Sequence, residues 1–242
     1  MVFYYLCFMK NLKNIVAEPF NDLSFDEKNH RYFVKGEPLK CSVSKLIEDF
    51  YEKFDSQSVS AKVAQQQGRT QKEVLDDWKA INNESTTRGH RVHLFGELYQ
   101  FNRNIKPSCP QELAITKFWK DMPEHILPVT AELRMYHFKH LFAGTADVLL
   151  FDTKNQTYII ADYKTNKDLN KNFRNKTMLA PFNNLLDSPL NHYQIQLSYY
   201  QILLEQIGVK VSRRIIVWLD LEGNYQMIDT EDLTDKLKEI LN

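Results

Sequence analysis

Three β-rich segments follow one another in the second half of the chain, and they constrain the possible fold more than any other feature. They span residues 126–138, 145–151 and 158–163, and only short polar or glycine-containing turns separate them. Consecutive strands joined by such turns pair as antiparallel neighbours. The chain is therefore expected to contain a sheet whose successive strands lie side by side.

Helix-forming segments flank these strands along the sequence. Residues 190–206 predict a strong helix, residues 214–228 a hairpin around the turn EGN, and residues 230–241 a terminal helix. A short amphipathic segment precedes the strands at residues 113–119. This order predicts an α/β fold with a mixed central β-sheet flanked by helices in one domain.

The first hundred residues predict a hairpin and helical additions to this sheet. Apolar residues alternate around two turns within residues 22–39, which is typical of a hairpin. Residues 59–100 are mostly polar and helix-forming, with interruptions expected near Gly68 and at residues 82–87. Residues 1–10 are apolar but too short to span a bilayer, and they lack the features of a signal peptide. They predict a strand or a packed arm.

The composition narrows the class of protein. The chain carries 31 basic and 31 acidic residues, whereas nucleic-acid-binding proteins often have a basic excess, although a local basic patch can serve the same purpose. Cys7, Cys41 and Cys109 are scattered and form no C-x-x-C pair. This pattern argues against a disulfide framework, a zinc ribbon or a four-cysteine iron–sulfur cluster. We expect a soluble protein with no membrane segment, located in the cytoplasm of its own cell or of a host cell.

The sequence Asp162-Tyr163-Lys164 lies at the polar end of the apolar run TYIIADYK. Side chains alternate along a strand, so Asp162 and Lys164 are expected on one face and Tyr163 on the other. The same D-x-K pattern occurs at residues 26–28, 77–79 and 152–154, where two turns and a polar helix make solvated charge the natural explanation. Only the copy at 162–164 ends a buried strand.

Asp147 lies near the start of the strand that precedes Asp162. If the two strands are antiparallel neighbours, both carboxylates reach the same edge of the sheet, together with Lys164. Such a hard-oxygen site suits Mg²⁺ or Mn²⁺, and a metal held there can activate water and neutralise charge on a phosphoryl group. The ordinary alternative is an ion pair near a sheet edge.

Two helices offer further candidates. Gly89, His93 and Glu97 share one face of a helix, so His93 could bind a metal with Glu97 orienting it, although a lone histidine on a helix is more often a packed or surface residue. Gln196 and Tyr200 share a face of the late helix, and could hydrogen-bond a phosphate or sugar. The alternative for that helix is an amphipathic segment with tyrosines at its rim.

These motifs together carry a resemblance to a known family. In order they are G-x-x-x-H at Gly89–His93, G-x-x-D at Gly144–Asp147, D-x-K-T at Asp162–Thr165 and Y-x-x-Q-x-x-x-Y at Tyr193–Tyr200. The set resembles the RecB-type nuclease branch of the PD-(D/E)xK superfamily over residues 85–205. The opening hairpin, the helical stretch and Trp78 are similar to stand-alone, phage-type exonucleases of that branch.

The resemblance implies a restriction-endonuclease-like core and a role for each motif residue. It implies one nuclease domain over residues 1–242, with a hairpin and helical region in 1–84 and the catalytic core in 85–242. Lys164 would orient or activate the attacking water and stabilise negative charge. The metal would be bound by His93, Asp147, Asp162 and the backbone carbonyl of Tyr163. The substrate would be bound by Tyr193, Gln196, Tyr200 and Thr165. Glu132 would occupy an acidic catalytic position.

The activity that follows is hydrolysis of DNA phosphodiester bonds with Mg²⁺ or Mn²⁺. Exonuclease action in recombination, repair or phage DNA processing is favoured, and endonuclease action stays open. The chain has no helicase motif, so any unwinding would need a helicase or recombination partner. A basic stretch could follow a DNA backbone, or could be a solvated loop; it contains Lys164, Lys167, Lys171, Arg174 and Lys176. The alternatives are a non-catalytic nucleic-acid-binding module and a partner-binding α/β domain.

Overall fold

The computed structural model describes the backbone of residues 2–242 and the side chains of residues 7–242. The helices are α1 Val2–Ala17, α2 Val43–Ile47, α3 Ser56–Gln67, α4 Gln71–Phe101, α5 Pro110–Lys120, α6 Pro189–Glu205 and α7 Thr234–Leu241. The strands are β1 Leu23–Asp26, β2 Arg31–Val34, β3 Glu37–Pro38, β4 Cys41–Ser42, β5 Ile126–Tyr136, β6 Phe142–Asp152, β7 Thr157–Lys164, β8 Val211–Leu219 and β9 Tyr225–Asp229.

The central sheet is mixed, as the sequence predicted. Its strand order is β4-β6-β7-β8-β9, and β5 also pairs with β6. The β5–β6, β6–β7 and β8–β9 pairs are antiparallel, because short turns join them. The β7–β8 pair is parallel, because α6 forms the crossover between those strands. The prediction of an α/β fold with helices flanking a mixed sheet is therefore confirmed.

Helices pack on both faces of this sheet. One hydrophobic cluster joins the sheet to α1, α2 and α6, and a second joins it to α4 and α5. Along β7 the side chains alternate, since Ile160 belongs to the first cluster whereas Ala161 and Tyr163 belong to the second. Asp162 and Lys164 consequently continue the face on which α6 packs.

The N-terminal region differs from its prediction at two places. The hairpin expected within residues 22–39 is present, with β3 added as a short third strand. Residues 2–10 belong to α1 rather than to a strand or arm, because the apolar pattern continues at helical spacing to Leu12 and Val16, which are buried. No described helix is long and apolar enough to cross a membrane.

The helix α4 runs without a break through residues 82–87, where an interruption was predicted. A capping box fixes its start: Glu73 N donates to Thr70 Oγ1 (3.3 Å), and Thr70 N donates to the Glu73 carboxylate (2.8 Å). Its last turns are held by the buried Val92 and Phe95. Residues 81–87 between these anchored ends are exposed on every side of the helix. The break predicted at Gly68 is confirmed, since this glycine ends α3 at φ 63°.

Candidate metal centre and adjoining groove

Three carboxylates form a row across neighbouring strands. Glu132 lies on β5, Asp147 on β6 and Asp162 on β7. Glu132 and Asp147 lie between the pairs Ala131–Val148 and Leu133–Ala146, and Asp147 and Asp162 lie one residue beyond the last β6–β7 pair, Val148–Ala161. Asp147 lies in the middle of β6 and not at its start, because the strand already begins at Phe142, where it pairs with β4. The convergence of Asp147 and Asp162 therefore follows from strand register and not from a shared sheet edge.

His93 reaches this row from α4. Its Nδ1 lies 3.1 Å from Oδ2 of Asp147, and the same oxygen accepts a hydrogen bond from Tyr163 N at 2.9 Å. Burial lowers the pKa of His93, but the charge of Asp147 and the hydrogen bond to it together outweigh burial and raise the pKa to about 9. Burial likewise raises the pKa of Asp147, but the charge of His93, the hydrogen bond from His93 and the charge of Lys164 together lower it below its ordinary value. Asp147 is thus the group that orients His93, and in the described residues no hydrogen bond joins His93 to Glu97.

The atoms best placed to share a cation belong to His93, Glu132 and Asp147. One ligand atom from each lies within 4.8 Å of the other two. Burial, followed by the charge of Asp147, raises the pKa of Glu132 to about 7. Glu132 also has φ 48°, a left-handed conformation that non-glycine residues rarely adopt and that is common at functional sites.

Asp162 and Lys164 occupy the next position in the row. The Lys164 ammonium contacts Oδ2 of Asp162, which has no other partner in the described part of the chain. Burial and the charge of Asp147 raise the pKa of Asp162 to about 6. Burial lowers the pKa of Lys164, but the charges of Asp162 and Asp147 raise it above its ordinary value. Lys164 therefore carries its proton, and its Nζ lies 4.3 Å from the centre of the Tyr193 ring.

Tyr163 points to the opposite face of β7, as strand alternation predicted. Its side chain is buried in the second cluster, where Trp119 Nε1 donates a hydrogen bond to its hydroxyl at 2.9 Å. Burial raises the pKa of this hydroxyl well above its usual range. Gly96 of α4 packs against the ring so closely that a Cβ at residue 96 would lie 2.5 Å from Tyr163 Cε2.

The residues of α6 surround the site from the other side. Gln196 Nε2 donates to the Tyr200 hydroxyl at 2.7 Å, and the Tyr200 ring is buried. This ring lies so close to Gly144 that a Cβ there would be 2.5 Å from Tyr200 Cε1, which accounts for the glycine of the G-x-x-D motif. Tyr193 donates from its hydroxyl to Asn166 Oδ1 at 2.8 Å. The structure therefore brings the α6 motif to the same place as Lys164.

An open groove of about 1260 Å³ begins at Thr165, directly after Lys164. Its walls come from α4, from the loop that follows β7, from the first residue of α6 and from the end of β8 with the turn after it. Lys167 and Lys171 of the predicted basic stretch line it. Lys176 instead pairs with Glu52 at 2.5 Å, so the basic stretch does not act as one surface.

Two lining residues were missed by sequence reasoning. Arg88 immediately precedes the motif glycine Gly89, and Trp218 pairs with Lys164 in the β7–β8 register. The position of Arg88 beside a motif was the only sequence signal for it, and Trp218 has none, because its place depends on the parallel pairing of β8.

No known protein family matches the chain, and no characterised protein shows significant similarity to it.

Proposed function

We propose that the protein is a divalent-metal-dependent nuclease that hydrolyses phosphodiester bonds in DNA. The observation that carries this proposal is the row of Glu132, Asp147 and Asp162 on three neighbouring strands, completed by His93 and Lys164. Three acidic groups so close together repel one another, and a bound cation would relieve that repulsion. The motif resemblance to RecB-type nucleases supports the same conclusion.

The donor set fits Mg²⁺ or Mn²⁺. Carboxylate oxygens are the ligands that Mg²⁺ prefers, and a single imidazole is compatible with Mn²⁺ as well. Lys164 is the only described partner of the buried Oδ2 of Asp162, which also matches a site whose negative charge is only partly balanced by the protein. His93, Glu132, Asp147 and Asp162 would hold the metal, which when bound supplies a Lewis acid that activates water and neutralises phosphoryl charge.

The protein's own groups would stabilise the reaction as follows. The Lys164 ammonium keeps its proton, so it would act as a fixed positive charge toward the scissile phosphate and the attacking water. Asp162 and the Tyr193 ring hold that ammonium in place on two sides. Asp147 holds the imidazole of His93 through Nδ1. Each reacting group is thus oriented by a buried or half-buried partner before substrate binds.

The finer features of the proposal come from the resemblance. They are exonuclease action in recombination, repair or phage DNA processing, in the cytoplasm of the cell or of a host, with a helicase or recombination protein as partner. In the described part of the chain all three cysteines are free, and the metal-ligand group contains none of them.

The test is digestion of end-labelled linear duplex, closed-circular duplex and single-stranded DNA with Mg²⁺, Mn²⁺ or EDTA. Lys164→Ala is the variant, and Lys154→Ala is its matched control, because Lys154 belongs to a second D-x-K sequence in an exposed turn. We expect metal-dependent cleavage that Lys164→Ala abolishes and Lys154→Ala retains. Circular dichroism checks that both variants fold.

Each outcome has a defined meaning. Loss of linear but not circular DNA establishes an exonuclease, and cutting of circles establishes an endonuclease at the same site. Cleavage that survives in folded Lys164→Ala overturns the assignment of the site. If the folded wild-type protein cleaves none of the substrates with either metal, the nuclease proposal is wrong.

A further inference from the structure

The open groove beside the candidate metal centre is lined at one end by Thr165, the residue that follows Lys164. We propose that it binds one strand of nucleic acid with its bases unpaired, and that it leads that strand toward the site. This inference rests on the proposed function. It concerns residues outside the four motifs, chiefly Arg88 and the Phe54–Trp78 pair.

Arg88 is the cation best placed to hold a phosphate in the groove. Its Nε is buried and has no hydrogen-bond partner among the described residues. Its ion-pair partner, Glu84, is 3.8 Å away and largely exposed, so that contact is weak. A guanidinium in this state retains donors for a phosphate, which arginine can bind in bidentate fashion.

The groove lining has no basic excess, which favours a single strand over a duplex. It contains three cations, Arg88, Lys167 and Lys171, and four carboxylates, Glu84, Asp168, Asp220 and Glu222. Both aspartates accept hydrogen bonds from nearby backbone amides, Asp168 from Asn170 and Asp220 from Glu222. A duplex presents mainly phosphates to a surface groove and requires a basic surface, whereas a single strand also offers the faces of its bases.

Apolar and aromatic groups are available to those bases. Ile81 lines the groove and is mostly exposed, and Trp78 lies three residues earlier on the same face of α4. The Trp78 ring is 5.7 Å from that of Phe54, whose side chain is 68% exposed. Exposed aromatic rings of this kind are stacking platforms for unpaired bases. They extend the α4 wall of the groove away from the metal centre.

Gly89 provides a second, independent indication of a ligand. Glycine weakens a helix, yet nothing in the fold requires glycine at residue 89. The φ of Gly89 is not left-handed, and a Cβ there would meet only Thr165 Oγ1, at 4.0 Å. Glycine in such a position allows close approach of a backbone to a ligand. Thr165 lines the groove and directly follows Lys164 in sequence, so Gly89 lies near the end of the groove that is closest to Lys164.

The test is fluorescence anisotropy in EDTA with a labelled oligothymidine of about a dozen nucleotides, a length within the range that single-strand sites cover. A blunt duplex of the same length is the second probe. The variants are Arg88→Ala and Phe54→Ala. The matched control is Lys79→Ala, since Lys79 is an exposed cation on the opposite side of α4 from Ile81 and Arg88.

We expect the single strand to bind more tightly than the duplex. Phe54→Ala should weaken single-strand binding by roughly 5- to 150-fold, the range for loss of one stacked base. Arg88→Ala should also weaken it, and should reduce the slope of log K against log salt by about 0.7, the value for one lost phosphate contact on a single strand. Lys79→Ala should leave affinity within about twofold, as expected of a surface residue outside the site.

Equal or tighter duplex binding overturns the inference, and so does wild-type affinity in both Arg88→Ala and Phe54→Ala. The assay contains no metal, so its result is independent of catalysis. Single-strand binding without cleavage in the metal-containing assay would contradict the proposed function alone. Cleavage without the expected single-strand binding would contradict the groove assignment alone.

Discussion

Replacement of Gly89 or of Gly96 in α4 by alanine should change the free energy of unfolding in opposite directions. Alanine in place of glycine inside a helix stabilises it by about 1 kcal/mol. At Gly89 the new methyl group would meet only Thr165 Oγ1, at ordinary contact distance. Gly89→Ala should therefore raise the free energy of unfolding by up to about 1 kcal/mol, while weakening single-strand binding in the groove.

At Gly96 the same methyl group has no room. It would lie 2.5 Å from Tyr163 Cε2 and 3.1 Å from Cδ2. The ring cannot easily move, because it is almost fully buried and its hydroxyl accepts the Trp119 hydrogen bond. Overpacking of this kind costs about 1–3 kcal/mol, which offsets the gain in helix propensity at the lower end of the range and exceeds it over the rest. Gly96→Ala should therefore be less stable than Gly89→Ala by about 1–3 kcal/mol.

Urea denaturation of the two variants and the wild type measures this difference directly. In a thermal scan the same difference corresponds to roughly 2–4 °C for each kcal/mol in a protein of this size. The two variants share one helix and one chemical change, so each is the control for the other. Equal stability of Gly96→Ala and Gly89→Ala would refute the reasoning, because it would mean that the Tyr163 ring is free to shift.

Three further predictions concern the candidate metal centre and the core. Mg²⁺ or Mn²⁺ at a hundredfold excess over Kd should stabilise the fold by about 2.7 kcal/mol and so raise the melting temperature. In differential scanning fluorimetry, Glu132→Gln should remove most of that rise. Trp119→Phe should cost about 1–3 kcal/mol in urea denaturation, because the buried Tyr163 hydroxyl loses its donor. Burial and the charge of His140 lower the pKa of His137 to about 4. The folded protein therefore resists protonation of His137, so the contribution of His137 to the free energy of unfolding is complete above about pH 6.5 and declines as pH falls toward 4. His137→Asn should accordingly show a flatter melting temperature over that range than the wild type, and parallel curves would contradict this assignment.

Sequence patterns within short segments were sufficient to predict the mixed sheet and the positions of some residues of the candidate site. Strand alternation placed Asp162 and Lys164 on one face of β7, and a short turn predicted the pairing with β6 that brings Asp147 beside them. These features depend on residues close in sequence, so the sequence contains the information directly.

Other features depend on contacts between distant segments. Arg88 acquires its surroundings only when α4 crosses the loop after β7, which no periodicity reveals. The position of Glu132 requires both the β5 register and its left-handed backbone. The continuity of α4 was missed because asparagine, serine and threonine disfavour helix locally, whereas tertiary contacts at both ends impose it.

The exposed middle of α4 has a consequence for how the molecule opens. Over residues 81–87 the helix is maintained by its backbone hydrogen bonds and its anchored ends, without side-chain burial. In the described structure, Ala64 of α3 and Val74 of α4 are buried against each other's helices but belong to neither core cluster. Such a segment opens at a free energy far below that of global unfolding. Residues 56–80, which comprise α3 and the first turns of α4, are therefore expected to open as one unit while the carboxylate row on the sheet keeps its shape. Within the interior of α4, amide hydrogen exchange should accordingly be fastest at residues 81–87.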